Sequence, residues 1–234
     1  YSTVLALVWD VTVLYLTLGF RQFSHNFTAI RDALEQGRED RAREQLAHWQ
    51  HLDASDLPRT EVLRHVLEYS LLAAHRHVFG VFAWYTLLAA LGLGPAGAVL
   101  YRVSEYVYTY ANRPARPTSQ PVSASVVENA SSAWAAIDWL PARVTALSFA
   151  FVGSFEEAVD SWRKQAARFP NDNDGVVLAA TAGAVNVKLG PKEWDTIGQT
   201  PQPVHLRAVV GLVWRTVVMW MVFLALLSLA RLIG

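Results

Sequence analysis

Apolar residues come in blocks along this chain, and the stretches between them switch to helical spacing. Val4 to Phe20 is nearly continuous hydrocarbon and aromatic, interrupted by Asp10, Thr12 and Thr17 and closed by Arg21. That is about the lower limit for a bilayer-spanning helix, and Tyr15, Phe20 and Phe23 suit a membrane interface. Residues 1–21 are therefore predicted as a transmembrane helix. Because the chain opens without Met and inside this run, a preceding N-terminal part is expected. Between 22 and 76 the period becomes helical. Phe27, Ile30, Ala33 and Leu34 share one stripe, Gly37 breaks it as a C′ residue, and Ala42, Leu46 and Trp49 mark a second helix over about Glu39–Gln50. This helix–turn–helix is similar to a single tetratricopeptide-type unit, which cannot bury its own face alone. A hairpin packed on the rest of the protein is predicted. A third helix opens at Pro58, with Asp56 as a nearby cap. Val62, Leu63, Val66, Leu67, Ser70 and Leu71 line its buried face, Glu68 lies partly buried beside Leu71 and Leu72, and His75, Arg76 and His77 end it.

Val78 to Tyr101 is the longest uncharged run, and residues 77–110 are the clearest membrane candidate. Gly92, Gly94, Pro95 and Gly97 sit in its middle. Two arrangements fit: one kinked span, or a hairpin of half-helices over 78–91 and 96–110. Tyr101, Tyr106, Tyr108 and Tyr110 mark an interface. Residues 111–132 are expected as loop and helix: a Pro- and Ser-rich loop over 112–125, then a helix of small residues from Ala124 to Ile137. In 133–190, Pro141 is placed in the first turn of a new helix with Asp138 as its cap. Ser154 and Glu157 form a capping box for a helix to about Arg168. Phe169 to Gly175 reads as a polar turn, Ala179 to Val187 as a short helix, and Gly190-Pro191 as its end. Residues 205–234 complete the set as a C-terminal transmembrane helix interrupted by Arg215, which would snorkel or pair inside the bundle. The fold class is all-α: a polytopic helical membrane protein with a helical-hairpin extramembrane part.

Composition agrees with that pattern. Of 234 residues 53% are hydrophobic and only 17% charged, against about 25% charged in a typical soluble domain. A net charge of zero removes the electrostatic footprint of a nucleic-acid binder, and the lipid bilayer is the partner implied. The absence of cysteine excludes disulfides, thiolate catalysis and cysteine-held zinc. Lys and Arg flanking the spans do not orient them.

Candidate chemistry is sparse. The phosphate-loop, dinucleotide, zinc-protease and serine-hydrolase motifs are missing. His48 and His51 lack a third ligand, while His75 and His77 point to different helix faces. Asp10 is either an intramembrane carboxyl facing a polar path or a residue near the end of its span. Asn171 to Asp174 presents carboxylates and amides on a turn, which suits either a hard cation such as magnesium or an ordinary polar turn.

These residues carry a resemblance. Asp138-Trp-Leu-Pro-Ala-Arg-Val-Thr-Ala-Leu147 resembles the N-W-[IL]-P-A-R-[LV]-T-A-L block of the membrane family that joins CobD/CbiB (adenosylcobinamide-phosphate synthase, a cobalamin-biosynthesis enzyme) to AmpE, the modulator of β-lactamase induction. Phe169 to Gly175 resembles its H-P-S-P-N-A-G turn, and Ala179 to Gly190 continues the match. Glu68 falls on the glutamate opening its E-S-x-x-E-N-x-x-D box, and Gly94-Pro-Ala-Gly97 with Tyr101-Arg102 fits the next block. The later Glu, Asn and Asp of that box fall on Leu72, Ala73 and Arg76. The N-T-L-D block falls on Glu105, Tyr106, Val107 and Tyr108, and the paired aspartates before N-W-I-P fall on Trp134 and Ala135.

Joining an amine to a carboxylate with ATP calls for carboxylate-held magnesium, and most of those oxygens are replaced here, as in the AmpE-like branch. The resemblance thus implies a multi-pass protein of the bacterial inner membrane, non-catalytic, acting as regulator or scaffold, with no cofactor and with a membrane protein partner or an oligomer. The alternatives are a ligase using magnesium and ATP, with Glu68, Asp138, Arg143, Asn173 and Asp174 converging on one cleft, and an accessory subunit of a larger complex.

Overall fold

A computed structural model describes residues 2–18, 20–50, 53–113, 122–191 and 198–233. His51, residues 114–121 of the Pro- and Ser-rich loop and residues 192–197 before the last helix lie outside the described residues, as do the side chains of Phe20, Arg21 and Phe23. Among the described residues every regular element is helical: α1 Ser2–Thr17, α2 Phe20–Glu35, α3 Glu39–Gln50, α4 Arg59–Ala74, α5 Gly80–Ala90, α6 Ala96–Ala111, α7 Ala124–Val152, α8 Phe155–Gln165, α9 Asp172–Val185 and α10 Pro203–Ile233.

The hairpin α2–α3 forms where the apolar stripes require it. Gly37 takes φ 71°, and the Arg38 N–H donates to Ala33 O at 2.8 Å, so the αL residue closes the end of α2. Ile30, Leu34, Ala42 and Leu46 are buried against Val62, Leu63, Val66, Leu67 and Leu71 of α4 in one core, which continues through Phe79, Phe149 and Leu178 to Leu206, Val209 and Leu212 of α10.

Two expected helix boundaries are absent. His75–His77 do not end α4. His75–Phe79 form a π turn in which the Gly80 N–H reaches back five residues to His75 O, and the helix continues as α5. Such a turn inserts one extra residue and re-aims the side chains around it, commonly at functional sites. Of the two arrangements left open for 78–110, the chain adopts the hairpin. α5 and α6 are joined through Leu91–Pro95, with Gly92 and Gly94 in the left-handed region (φ 80° and 57°) that glycine permits. These helices of 11 and 16 residues are each shorter than the ~20 residues of a bilayer crossing. The hairpin closes tightly at Gly97, where a Cβ would overlap the Trp84 carbonyl. Gly97→Ala should therefore cost about 1–3 kcal/mol through forced backbone movement, read as a lowered thermal midpoint in detergent.

The second absent boundary is at Pro141. α7 runs unbroken through it for 29 residues, so Asp138 lies in mid-helix and caps nothing. Proline removes the hydrogen bond to the carbonyl four residues back, here that of Ile137. Trp84 on α5 fills the gap, its indole Nε1 donating to Ile137 O at 3.0 Å. Trp84→Phe should cost about 1–3 kcal/mol by leaving that carbonyl unpaired. Adding Pro141→Ala, which returns an N–H to the helix, should recover part of the loss. Recovery in the thermal midpoint of the double variant is the check; an equal or deeper loss would contradict this account.

α7 and the Pro203–Ala230 part of α10 are long and apolar enough to cross a membrane, with mean hydropathies of 1.3 and 2.1. α10 turns Trp214, Val218, Met221, Val222, Phe223, Leu226 and Leu229 outward. Sequence reasoning placed a span at α10 and none at α7. Ser154 precedes α8, but its hydroxyl makes no capping bond, and α8 tightens into a short 3₁₀ turn at Ala166–Arg168. The expected polar turn is largely the first turn of α9: Asn171 caps it, accepting from the N–H groups of Asn173 (3.0 Å) and Asp174 (3.4 Å).

Candidate functional site

The π turn sends three consecutive side chains to three different helices. His75 points at α7, its Nε2 2.9 Å from Asp138 Oδ1 and its Nδ1 2.9 Å from Thr145 Oγ1. Tyr101 on α6 donates its hydroxyl to the same Asp138 oxygen at 2.6 Å. Tyr101, His75, Asp138 and Thr145 are all fully buried. Asp138 Oδ1 is thus shared between the Tyr101 hydroxyl and the His75 ring. With its Nε2–H donating to Asp138, a neutral His75 would accept the Thr145 hydroxyl at Nδ1.

Arg76 points at α9, where its Nη2 reaches both oxygens of Asp174, at 2.7 and 3.0 Å. Burial works against the Arg76 charge, but Asp174 beside it more than compensates, with Asp138 adding to the effect, so the guanidinium is held more firmly protonated than usual. His77 points at α6 and meets Arg102, which also binds Glu105 at 3.1 Å; Glu105 in turn accepts from Thr109 at 3.0 Å. One irregular turn thus ties α6, α7 and α9 together.

The residues singled out by sequence divide into separate groups. Asp138 and Asp174 meet the His75-Arg76 pair. Arg143 and Asn173 form the adjoining edge. The Arg143 guanidinium stacks 4.1 Å from the Trp139 ring and donates to Trp139 O (2.9 Å) and Asn173 Oδ1 (3.2 Å), while the Asn173 amide donates to Ala135 O at 2.9 Å. Glu68 does not join them. It is taken by Arg64 at 2.8 Å and by the Gly190 N–H at 2.6 Å, where it anchors the chain leaving α9. Asp10 lies at the α5–α6 turn, where a Cβ on Gly94 would come within 3.5 Å of its Oδ1. Arg215 is exposed and donates to Gly211 O one turn back, at 3.2 Å, with no acid paired to it among the described residues.

His75 and Tyr101 are functional-looking residues that sequence reasoning named, as a helix end and as an interface aromatic, without joining them to Asp138. Their partner Asp138 is 63 and 37 positions away, and no local spacing encodes such a meeting.

Magnesium with ATP does not fit this donor set. Asp174 is occupied by Arg76, Asp138 by His75 and Tyr101, Glu68 by Arg64, and Asn173 by Arg143 and a backbone carbonyl. Among the described residues no three His, Asp or Glu side chains gather where a metal ion would sit. Positions where the family resemblance puts acids have instead acquired partners of a different kind. Tyr108 and Trp134 stack on each other with centroids 5.6 Å apart. Arg76, at an expected aspartate, pairs with Asp174, at an expected alanine.

No protein-family profile and no solved structure matches the chain. Curated proteins do. Over 97% of its length the chain is 31% identical to the cobalamin biosynthesis protein CobD of Chromobacterium violaceum, covering 71% of that protein. It is 28% identical over 92% of its length to the CobD of Stutzerimonas stutzeri, again covering 71%. With the CobD of Leptospira interrogans the figures are 27% over 77% of this chain and 56% of the relative.

Proposed function

The chain belongs to the CobD family of cobalamin biosynthesis proteins, and from that membership we propose that it serves cobalamin biosynthesis as a non-catalytic, multi-pass protein of the bacterial inner membrane. α7 and α10 are its crossings in this reading, and the outward apolar face of α10 meets lipid. Its role is that of a scaffold or regulator for a membrane partner rather than of the amide ligase. One observation carries this: positions where the resemblance puts magnesium ligands hold residues with other partners, Tyr108 stacked on Trp134 and Arg76 paired with Asp174. Such replacements stabilise packing and consume the oxygens that catalysis with ATP would need.

A second reading, a working cobinamide-phosphate synthase-like ligase, draws support from a similarity to CobD that runs through nearly the whole chain. Purified protein supplied with a corrinoid carboxylic acid, an amine, ATP and magnesium separates the two. Turnover would overturn the non-catalytic reading. No turnover, beside an active CobD relative assayed in parallel, is the expected result. Deleting the gene should still lower cobalamin yield, and an unchanged yield would remove the protein from that biosynthesis. The protein should stay with the membrane fraction after an alkaline carbonate wash.

A further inference from the structure

Three buried polar atoms around the Asp138 cluster have no protein partner among the described residues: Asp138 Oδ2, Trp134 Nε1 and Arg76 Nε. The residues that carry them are neighbours. Trp134 and Asp138 stand one turn apart on the same face of α7, and both pack against Tyr101, whose hydroxyl binds Asp138 and whose ring lies 5.2 Å from the Trp134 ring. Arg76 follows His75, which is hydrogen-bonded to Asp138, and its guanidinium feels the Asp138 charge. Two buried N–H donors and one buried carboxyl oxygen on these adjoining residues thus lack partners. The other buried groups without a partner, on Gln45, Ser70, Thr86 and Gln165, belong to four different helices.

We infer that a water molecule is bound at this junction, accepting from Trp134 Nε1 and Arg76 Nε and donating to Asp138 Oδ2. The chemistry selects it. A metal ion is repelled by the guanidinium and is offered one carboxyl oxygen against two N–H groups that cannot ligate it. An anion is repelled by the carboxylate. What remains is a small neutral molecule that accepts and donates at once, and buried waters of this kind make about three hydrogen bonds to otherwise unpaired groups. The water joins two networks into one, Thr145–His75–Asp138–Tyr101 on one side and Arg76–Asp174 on the other, so that α6, α7 and α9 share a continuous hydrogen-bonded centre. This inference goes beyond the functional proposal and holds whichever way the ligation assay falls.

The test uses the full chain in detergent micelles with 15N-labelled indoles. Nine tryptophans give a countable set of resonances, and Trp134→Phe identifies the one sought; if that variant does not fold, contacts to the Tyr101 and Tyr108 rings identify it in the unmodified protein. The expected result is a cross-peak between the Trp134 indole proton and a long-lived water, reduced several-fold in Asp138→Asn. Should Asp138→Asn not fold, Arg76→Lys, which keeps the charge and moves the donor, should reduce it instead. A Trp134 indole without a water cross-peak, or with one that neither variant changes, would overturn the inference.

Discussion

Asp138→Ala should lower the thermal midpoint of the purified protein by about 10 °C or more, from a loss of about 3–5 kcal/mol. The variant strips the partner from a fully buried histidine and from a fully buried tyrosine hydroxyl in one step. Groups left unpaired in the interior lose what water would have given them and gain nothing in exchange. Had Asp138 been a helix cap, as its position before Pro141 suggests, the same substitution would cost only about 1 kcal/mol. The size of the effect therefore separates the two roles. Asp138→Asn retains an oxygen that accepts from Tyr101 and His75 and should lose roughly half as much or less. An alanine variant no worse than the asparagine one would show that these bonds contribute little.

Arg76→Ala comes second, at about 2–3 kcal/mol. It leaves the Asp174 carboxylate, whose side chain is 16% exposed, without its cation at the first turn of α9. Asp174→Ala alone should cost less, because the arginine side chain is the more exposed of the two, at 23%, and has a long stem with which to reach water. In the double variant the two losses should not add, and the shortfall measures the pair directly. A further variant follows from the family comparison. Arg76→Asp alone sets two carboxylates against each other, whereas Arg76→Asp with Asp174→Ala rebuilds the pairing implied by the resemblance and should recover much of the midpoint. Full additivity in the first cycle, or no recovery in the second, would count against a coupled exchange at these positions.

Much of the helical layout can be read directly from residue order. The α2–α3 hairpin follows from stripes at helical spacing with glycine between them, because a helix face and a left-handed turn are local requirements that a few adjacent residues meet or fail. The α5–α6 turn has the same origin in Gly92 and Gly94, although the choice between hairpin and kinked span needed the packing of Gly97 on Trp84. The family, too, was readable, since the Pro141-Ala142-Arg143 block and the asparagine-glycine turn are contiguous words.

The site was only partly readable, for a physical reason that Pro141 shows best. Local rules place proline at a helix start, and they hold unless another part of the chain supplies the missing donor. Trp84 does so from 53 residues away, and with that one bond Asp138 changes from a cap at a helix end to the centre of a buried cluster. The same applies to the end of α4. Periodicity stops at the histidines, yet tertiary bonds to α6, α7 and α9 carry the helix through an irregular turn.

By itself the sequence determined that the chain is helical, where its apolar blocks lie and which family it resembles, because these are properties of neighbours in the chain. Only the tertiary structure decided that Tyr108 meets Trp134 and Arg76 meets Asp174, that Glu68 stands apart, and that His75 and Tyr101 close on Asp138. Those are encounters between distant segments, and their strength comes from burial, which exists only once the helices have packed.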